Sequence, residues 1–267
     1  MLRIRFDCFP GGVHKALTLS YDDGRIHDRR LVEKCNQYGL KGTFHLNSGR
    51  LDEEDFVTRE EVASLYQGHE VSTHTVNHPF LEQSPVEQMV TEIMEDRKTL
   101  EALVNYPVRG LSYPFGTSND QLVALLPSLG IEYARTAVRQ GGYDMPTDFL
   151  RWHPTCHHHQ MVEHAQRFVA LKQRHTKLAL LYIYGHSYEF ANNDNWELLD
   201  QLGEVVAGNP QIWFATNAEI VSYMRALQQL RFSADCRMVH NPTAQNVWIR
   251  VEADTVELPA GQITVLG

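Results

Sequence analysis

From its start to about residue 230 the chain alternates short apolar runs with amphipathic stretches, the pattern of strands followed by helices. Residues 2–6 alternate like a short strand, Pro10-Gly11-Gly12 interrupts them, and Ala16-Leu17-Thr18-Leu19-Ser20-Tyr21 reads as a buried strand. A helix is predicted over 28–38, closed by Gly39, and a second strand over 42–47. Thr58, with Glu61 three positions on, has the capping-box form and opens a helix to Gln67, after which 69–73 is a third strand. Ser84 and Pro85 begin a long helix to Val104. Strand-like segments recur at 108–113, 131–135, 149–152, 178–186 and 212–216, with helices over 120–129, 161–175, 195–208 and 217–230 between them. Beyond 230 the helical period is lost. Residues 246–252 and 262–266 read as strands separated by the turn Leu258-Pro259-Ala260-Gly261.

Seven or eight strands alternating with helices imply an α/β barrel, whose functional groups collect at the C-terminal ends of its strands. The expected organisation is a barrel over residues 1–230 and a small β-rich appendage over 231–267 packed on it, because so short a tail rarely builds a core alone. A chain of 267 residues with 43% hydrophobic and 10% aromatic content can bury a large core. Its net charge of -9 and the lack of any Lys/Arg run argue against nucleic acid as a partner.

The N-terminal residues place charge at every second position, unlike a secretory signal, and no apolar run reaches the roughly 18 residues of a membrane span. Cys8, Cys35, Cys156 and Cys236 are widely spaced and suit reduced thiols. A cytoplasmic protein without a membrane partner is expected, and the composition sets no oligomeric state.

Candidate chemistry falls where strands end. Val71-Ser72-Thr73-His74-Thr75-Val76-Asn77-His78 carries two imidazoles four positions apart, which converge on one point if the segment makes a helical turn after the strand. Asp22 and Asp23 end an earlier strand. Adjacent carboxylates there project differently, so one can ligate a cation while the other acts as a base; a plain Asp-Asp-Gly turn is the competing reading. One Asp with two His makes a facial set that leaves positions open for water and substrate. His186 ends the most strongly apolar strand, and Tyr113 ends another. Cys156-His157-His158-His159 reads as a polar helix start rather than a second metal site, since consecutive side chains point in different directions. The segment 187–196 reads as a loop rich in amides and aromatics, compatible with sugar.

Taken together, these residues resemble the polysaccharide deacetylases of the NodB-homology type, the family-four carbohydrate esterases. Thr18-Leu19-Ser20-Tyr21-Asp22-Asp23-Gly24 is similar to that family's Thr-Phe-Asp-Asp-Gly motif, and His74 to His78 to its His-(Ser/Thr)-x-x-x-His motif. Arg109 to Pro114 fits Arg-x-x-x-x-Pro, and Leu181-x-Ile183-x-x-His186 fits Leu-x-Ile-x-x-His, so the likeness covers about residues 14–225. The resemblance implies a distorted (β/α)7 barrel in which Asp23, His74 and His78 hold a divalent ion, Zn2+ first and Co2+ or Ni2+ as alternatives. It makes Asp22 the general base, His186 the acid that protonates the leaving amine, the Tyr113 backbone N–H an oxyanion donor, and Arg109 the partner that keeps Asp22 ionised. Trp152 and Pro114 would line the acetyl pocket. The family's acid-tuning Asp beside that Trp is replaced here by Arg151, a cation expected to lower the pKa of His186, with Asp148 as the nearest substitute. The expected substrate is an acetylated sugar or oligosaccharide. A hydrolase of a non-sugar amide, or a carbohydrate-binding protein with weakened catalysis, are the alternatives, and the presence of Asp22 and His186 favours chemistry over binding alone.

Overall fold

The computed structural model describes residues 2–172 and 177–266. In chain order its strands are β1 (Ile4–Arg5), β2 (Lys15–Asp23), β3 (Gly42–Leu46), β4 (Glu70–Thr73), β5 (Gly110–Ser112), β6 (Tyr133–Arg135), β7 (Cys156–His157), β8 (Ala179–His186) and β9 (Ile212–Phe214). The helices between them are α1 (Asp28–Gln37), α2 (Val62–Leu65), α3 (Val86–Val104), α4 (Asp120–Leu125), α5 (Met161–Ala170), α6 (Ser187–Asn192), α7 (Glu197–Val206) and α8 (Asn217–Gln228). The strands from β2 to β8 form one parallel sheet in the order β6-β5-β4-β3-β2-β8-β7, and β9 pairs with the first part of β2. This is the curled α/β sheet of a distorted (β/α)7 barrel.

Strands covered on both faces must be apolar throughout. Accordingly β3, β4, β5 and β6 are buried at every position, and β2 and β8 at all but their last. Helices lay a narrow apolar stripe on this sheet: Leu31, Val32 and Cys35 from α1, Met161, Ala165 and Phe168 from α5, and Leu199, Leu202 and Val206 from α7 share one core with Leu19, Phe44 and Ile183. Between β6 and β7 the ring is closed by a segment rather than by a full strand. The Trp152 amide donates to Ala134 O, its carbonyl accepts from the Thr136 amide, and Thr155 N donates to Tyr182 O. The expected strand over 149–152 is therefore a 3-10 turn (Phe149–Arg151) with Trp152 as a single bridge to Arg135.

Other elements depart from the sequence pattern. The helix expected over 58–67 shrinks to α2, although Thr58 N does bond the Glu61 carboxylate at 2.7 Å. The cap of α8 is Thr216, with Glu219 completing a capping box, and the buried side chain of Asn217 beside it meets Thr18 and Tyr182. Residues 187–196, expected as loop, begin with α6. The amphipathic run to His175 ends as α5 at Ala170, and residues 173–175 lie outside the described residues.

After α8 come β10 (Arg231–Phe232), β11 (Met238–His240), β12 (Val247–Val251), β13 (Asp254–Leu258) and β14 (Ile263–Val265), in two antiparallel sheets. One of these sheets takes in the N-terminus, since β1 pairs with β12. Val247, Ile249 and Leu258 join Ile220 and Tyr223 of α8 in a second core, and the Tyr223 hydroxyl donates to Cys8 O at 2.9 Å.

Asp28, the first residue of α1, is buried and accepts a 2.6 Å bond from the Tyr66 hydroxyl at one oxygen while its other oxygen has no partner. Burial pushes its pKa up from 3.8 to about 7. A carboxyl that is harder to ionise in the folded chain stabilises the fold below its unfolded pKa, and that stability is lost as pH rises through the folded value. Asp28→Asn, which keeps the shape and removes the titration, is expected to leave the melting temperature near wild type at pH about 4 and to raise it above wild type at pH about 8. Equal pH slopes for the two proteins in thermal unfolding would contradict this.

Candidate metal and proton-transfer site

The parallel register gathers the site. Asp22, next to last on β2, stands opposite His45 of β3 and His186 of β8, and Ser112 of β5 stands opposite Arg135 of β6. All of these lie at the C-terminal ends of strands, around a cavity of about 330 Å³ walled by Asp22, Asp23, His74, His78, Arg135 and His186 together with Tyr113, Phe115, His157, Tyr184 and Tyr188.

The histidine pair is not on a helical turn, as the spacing had suggested. After β4 the chain folds back with Thr75 at φ 70° and His78 at φ 57°, left-handed positions that L-residues rarely take. Buried polar groups hold this bend. Asn47 Nδ2 donates to the His74 and Thr75 carbonyls at 2.6 and 3.0 Å, Asp96 of α3 accepts from the His74 amide and the Thr73 hydroxyl, and Glu92 binds the amide and side chain of Asn77. Asp23 has φ 80° and Phe115 φ 59°, so four non-glycine residues in the left-handed region meet in the site. Strain of this kind persists only where the surroundings over-determine it, and it concentrates at working sites.

The His74 Nδ1 lies 2.7 Å from the Ser112 carbonyl, a bond that puts the ring proton on Nδ1 and leaves the Nε2 lone pair facing Asp23 Oδ1, 3.6 Å away. Burial lowers the pKa of this ring and keeps it neutral, as a ligand must be. His78 stands with its ring 4.6 Å from that of His74, and one donor atom each from Asp23, His74 and His78 lie within 4.8 Å of one another. Two imidazoles and one carboxylate, with a carbonyl orienting the His74 ring, fit a zinc-class divalent cation and leave coordination positions open.

Asp22 is not in that set. Its Oδ2 accepts from Arg135 Nη2, which also donates to Ser112 Oγ, and lies 4.0 Å from both His74 Nε2 and His186 Nε2, while its Oδ1 is buried with no partner. Burial alone would raise this carboxyl, but the Arg135 guanidinium, with His74, overrides it and holds Asp22 well below the usual carboxylate range. On the far side, His186 Nδ1 lies 3.3 Å from Glu189 Oε2. Burial opposes protonation of His186, yet the Glu189 carboxylate, with Asp22 and Asp23 near by, raises its pKa above the ordinary histidine value.

The five residues expected to hold the cation and move protons, Asp22, Asp23, His74, His78 and His186, thus meet at one cavity, and four other expectations are corrected. Arg109 does not reach Asp22: it lies at the opposite end of the sheet, half-exposed and paired with Glu132 at 2.6 Å, because it precedes β5 rather than ending it. Arg135 takes that role. The Tyr113 amide is spent on Arg135 O at 3.0 Å and is not free for an oxyanion, although the Tyr113 ring does line the cavity. Trp152 is fully buried against Tyr133, Phe149 and Tyr182, and Pro114 is buried in the turn after β5; neither forms the wall. Arg151 pairs with Asp120 and Asp148, so the cation does not act on His186, and Glu189 rather than Asp148 is the carboxylate at its ring. A signal for Glu189 was present: three residues after His186, it occupies the capping-box position of α6.

The curled parallel sheet thus brings an Asp-His-His set together with a separate carboxylate and histidine at its strand ends, a constellation whose chemistry is compatible with hydrolysis. Residues 11–134 match the family model described as polysaccharide deacetylase, in agreement with the resemblance drawn from the motifs. A peptidoglycan-N-acetylglucosamine deacetylase of Bacillus cereus is 28% identical over 149 residues, 54% of this chain and 50% of its own length. The chain spans between 28% and 54% of the lengths of the first curated relatives it matches. Among solved structures, a candidate polysaccharide deacetylase from Mycobacterium smegmatis aligns with TM-score 0.63 at 15% identity, covering 85% of this chain and 96% of its own. A family 4 acetyl xylan esterase from Clostridium thermocellum, solved with a cobalt ion, aligns with TM-score 0.55 at 15% identity over 78% and 91%. At that identity the two structures speak for the fold.

Removing Arg135 leaves a buried carboxylate uncompensated, whereas Arg109 sits in an exposed pair. Arg135→Ala is expected to lower unfolding free energy by about 3–5 kcal/mol and Arg109→Ala by less than about 1 kcal/mol in urea titrations. Equal losses, or a larger loss for Arg109→Ala, would return the pairing role to Arg109.

Proposed function

We propose that this chain is a cation-dependent hydrolase that removes an acetyl group from an N-acetylated sugar or oligosaccharide. The observation that carries the reading is the placement of two proton-transfer groups pushed in opposite directions, Asp22 toward its ionised form and His186 toward its protonated form, beside one open three-donor cation set in a single cavity. Pairs of titratable groups driven apart by their surroundings divide the roles of base and acid. The relative named for N-acetylglucosamine in peptidoglycan supports the choice of bond and of sugar.

A divalent cation, Zn2+ first and Co2+ or Ni2+ as alternatives, held by Asp23, His74 and His78, would supply Lewis acidity to a water and to the acetyl oxygen. The Asp22 carboxylate, whose Oδ2 lies 4.0 Å from both His74 Nε2 and His186 Nε2, would take the proton of the attacking water, and Arg135, itself bonded to Ser112, keeps that carboxylate from turning away. His186 Nε2 then delivers a proton to the departing nitrogen, with the Glu189 carboxylate 3.3 Å from Nδ1 stabilising the charged ring. At the rim Phe115 and Phe80 stack face to face, centroids 3.7 Å apart, both exposed, and Phe115 also meets the His78 ring edge-on. An exposed aromatic face beside a cation suits the apolar face of a sugar ring whose acetyl group points inward.

Acetate release from N-acetylglucosamine and its oligomers, measured with and without chelator, tests this reading. Asp22→Asn and His186→Gln are each expected to retain the cation and lose about 10²–10⁴-fold in turnover, while His74→Ala loses the cation of the Asp23-His74-His78 set and, with it, activity. Phe115→Ala is expected to raise KM about tenfold with kcat nearly unchanged, the signature of lost uniform binding. Cation-loaded protein that releases no acetate from any of these sugars would overturn the substrate assignment, and undiminished activity in chelator would overturn the mechanism.

A further inference from the structure

Beside the acid histidine lies a second set of donors, of which the proposed deacetylase chemistry uses Glu189 alone. We propose that His157, His158, His159 and Glu189 form a second divalent-cation site, structural in character, that clamps the segment after β7 to helix α6.

The sequence argued against convergence of three adjacent histidines, and the backbone supplies what that argument lacked. His157 ends β7 in extended conformation, φ -73° and ψ 152°, and His158 opens a 3-10 turn (His158–Gln160), so the chain changes direction between one ring and the next. The rings close on one another, with centroids 4.3 Å apart for His157 and His158 and 4.6 Å for His159 against each of the others. Glu189, one turn into α6, faces them: its Oε2 lies 3.1 Å from His157 Nε2 and 3.4 Å from His158 Nε2. A tetrahedral ion with bonds of about 2.0 Å holds its donors roughly 3.3 Å apart, so both separations are those of a filled coordination shell. They are also no wider than the 3.6 Å between His74 and Asp23 in the first set. One donor atom from each of the four residues lies within 4.8 Å of the others.

His158 is the independent sign that something belongs there. Its ring is 0% exposed, stacked against Phe190 at 4.1 Å, and neither of its nitrogens has a hydrogen-bond partner. A buried imidazole with both nitrogens unsatisfied is costly unless a ligand meets one of them. The fold makes room for it: a Cβ at Gly185 would lie 2.1 Å from His158 Nδ1, so only glycine at 185 admits the ring in this orientation, with its Nε2 toward Glu189. Three imidazoles and a carboxylate fill a tetrahedron and leave no position for water, which distinguishes this set from the open Asp-His-His set and makes it structural. Its place matters to the chemistry, because Glu189 Oε2 is also the atom at His186 Nδ1.

The test is stoichiometry in the full-length protein, stripped with chelator, dialysed against ZnCl2 and analysed for zinc, with Co2+ absorption as a second readout. Two ions per chain are expected for wild type, one for His74→Ala, one for His159→Ala, whose side chain is exposed and whose loss spares the fold, and none for the two combined. In the His74→Ala background the Co2+ visible bands should persist, and they should vanish on adding His159→Ala or Glu189→Gln. Where His74→Ala does not melt cooperatively, Asp23→Ala vacates the first set instead. A cooperatively folded His74→Ala or Asp23→Ala chain that binds no zinc, or a double variant that still binds one, would overturn the proposal; four groups would then be a histidine–carboxylate network only.

Discussion

The structure depends on one buried ion pair, Arg135 with Asp22. Both side chains are nearly inaccessible to water, and an ion pair taken out of water stabilises only if its geometry and its further hydrogen bonds repay the desolvation. Here the guanidinium meets both Asp22 and the Ser112 hydroxyl, and its plane lies over the Tyr184 ring at 4.8 Å. Asp22 sits on the central strand and Arg135 on β6, four strands along the sheet, so the pair can form only if the sheet curls until its edge faces its middle. The pair therefore ties the closure of the barrel to the ionisation of one carboxylate: the fold places the cation side chain, and the cation side chain keeps Asp22 charged without making it a metal ligand.

From that arrangement the division of labour follows. Asp22 and Asp23 are neighbours in sequence, yet the left-handed turn at Asp23 sends its carboxylate toward His74 while Asp22 continues the strand into the barrel. Their unlike surroundings, one paired with arginine and one facing imidazoles, are what allow two adjacent acids to serve as base and as ligand. The positive φ values at Thr75 and His78 lie in a bend held by hydrogen bonds with Asn47, Asp96 and Glu92, so the strain of that bend rests on helix α3 and on the loop after β3, not on the catalytic side chains themselves.

Much of this was legible in the chain. The alternation of apolar runs and amphipathic stretches predicts the barrel, because a parallel sheet buried on both faces leaves that pattern at every strand. The rule that function collects at strand C-termini picked out Asp22, Asp23, His74, His78 and His186 together with Tyr113, and the family resemblance supplied their expected roles. It also explains the main misreading. Arg109 and Arg135 flank short strands alike, and a motif likeness favoured Arg109; but Arg109 comes before β5 and Arg135 ends β6, so only the second faces the site. Trp152 could not be placed from sequence because its burial depends on closing the ring between β6 and β8, a contact far apart along the chain. The approach of Glu189 to the three histidines was misread for another reason: it depends on where β7 stops and a 3-10 turn starts, and boundaries of that kind are set by tertiary context.

The pairing of Asp22 with Arg135 is the point on which the account stands, and a double-mutant cycle in chelator-treated protein reads it directly. Asp22→Asn and Arg135→Met, singly and together, would be compared in urea unfolding. The account predicts that the double variant is more stable than the sum of the single losses implies by about 1–3 kcal/mol, because each single change strands the partner that the other would have removed. Losses that add to within about 0.5 kcal/mol would mean that the two residues do not act on each other, and the ionised base would need another cause.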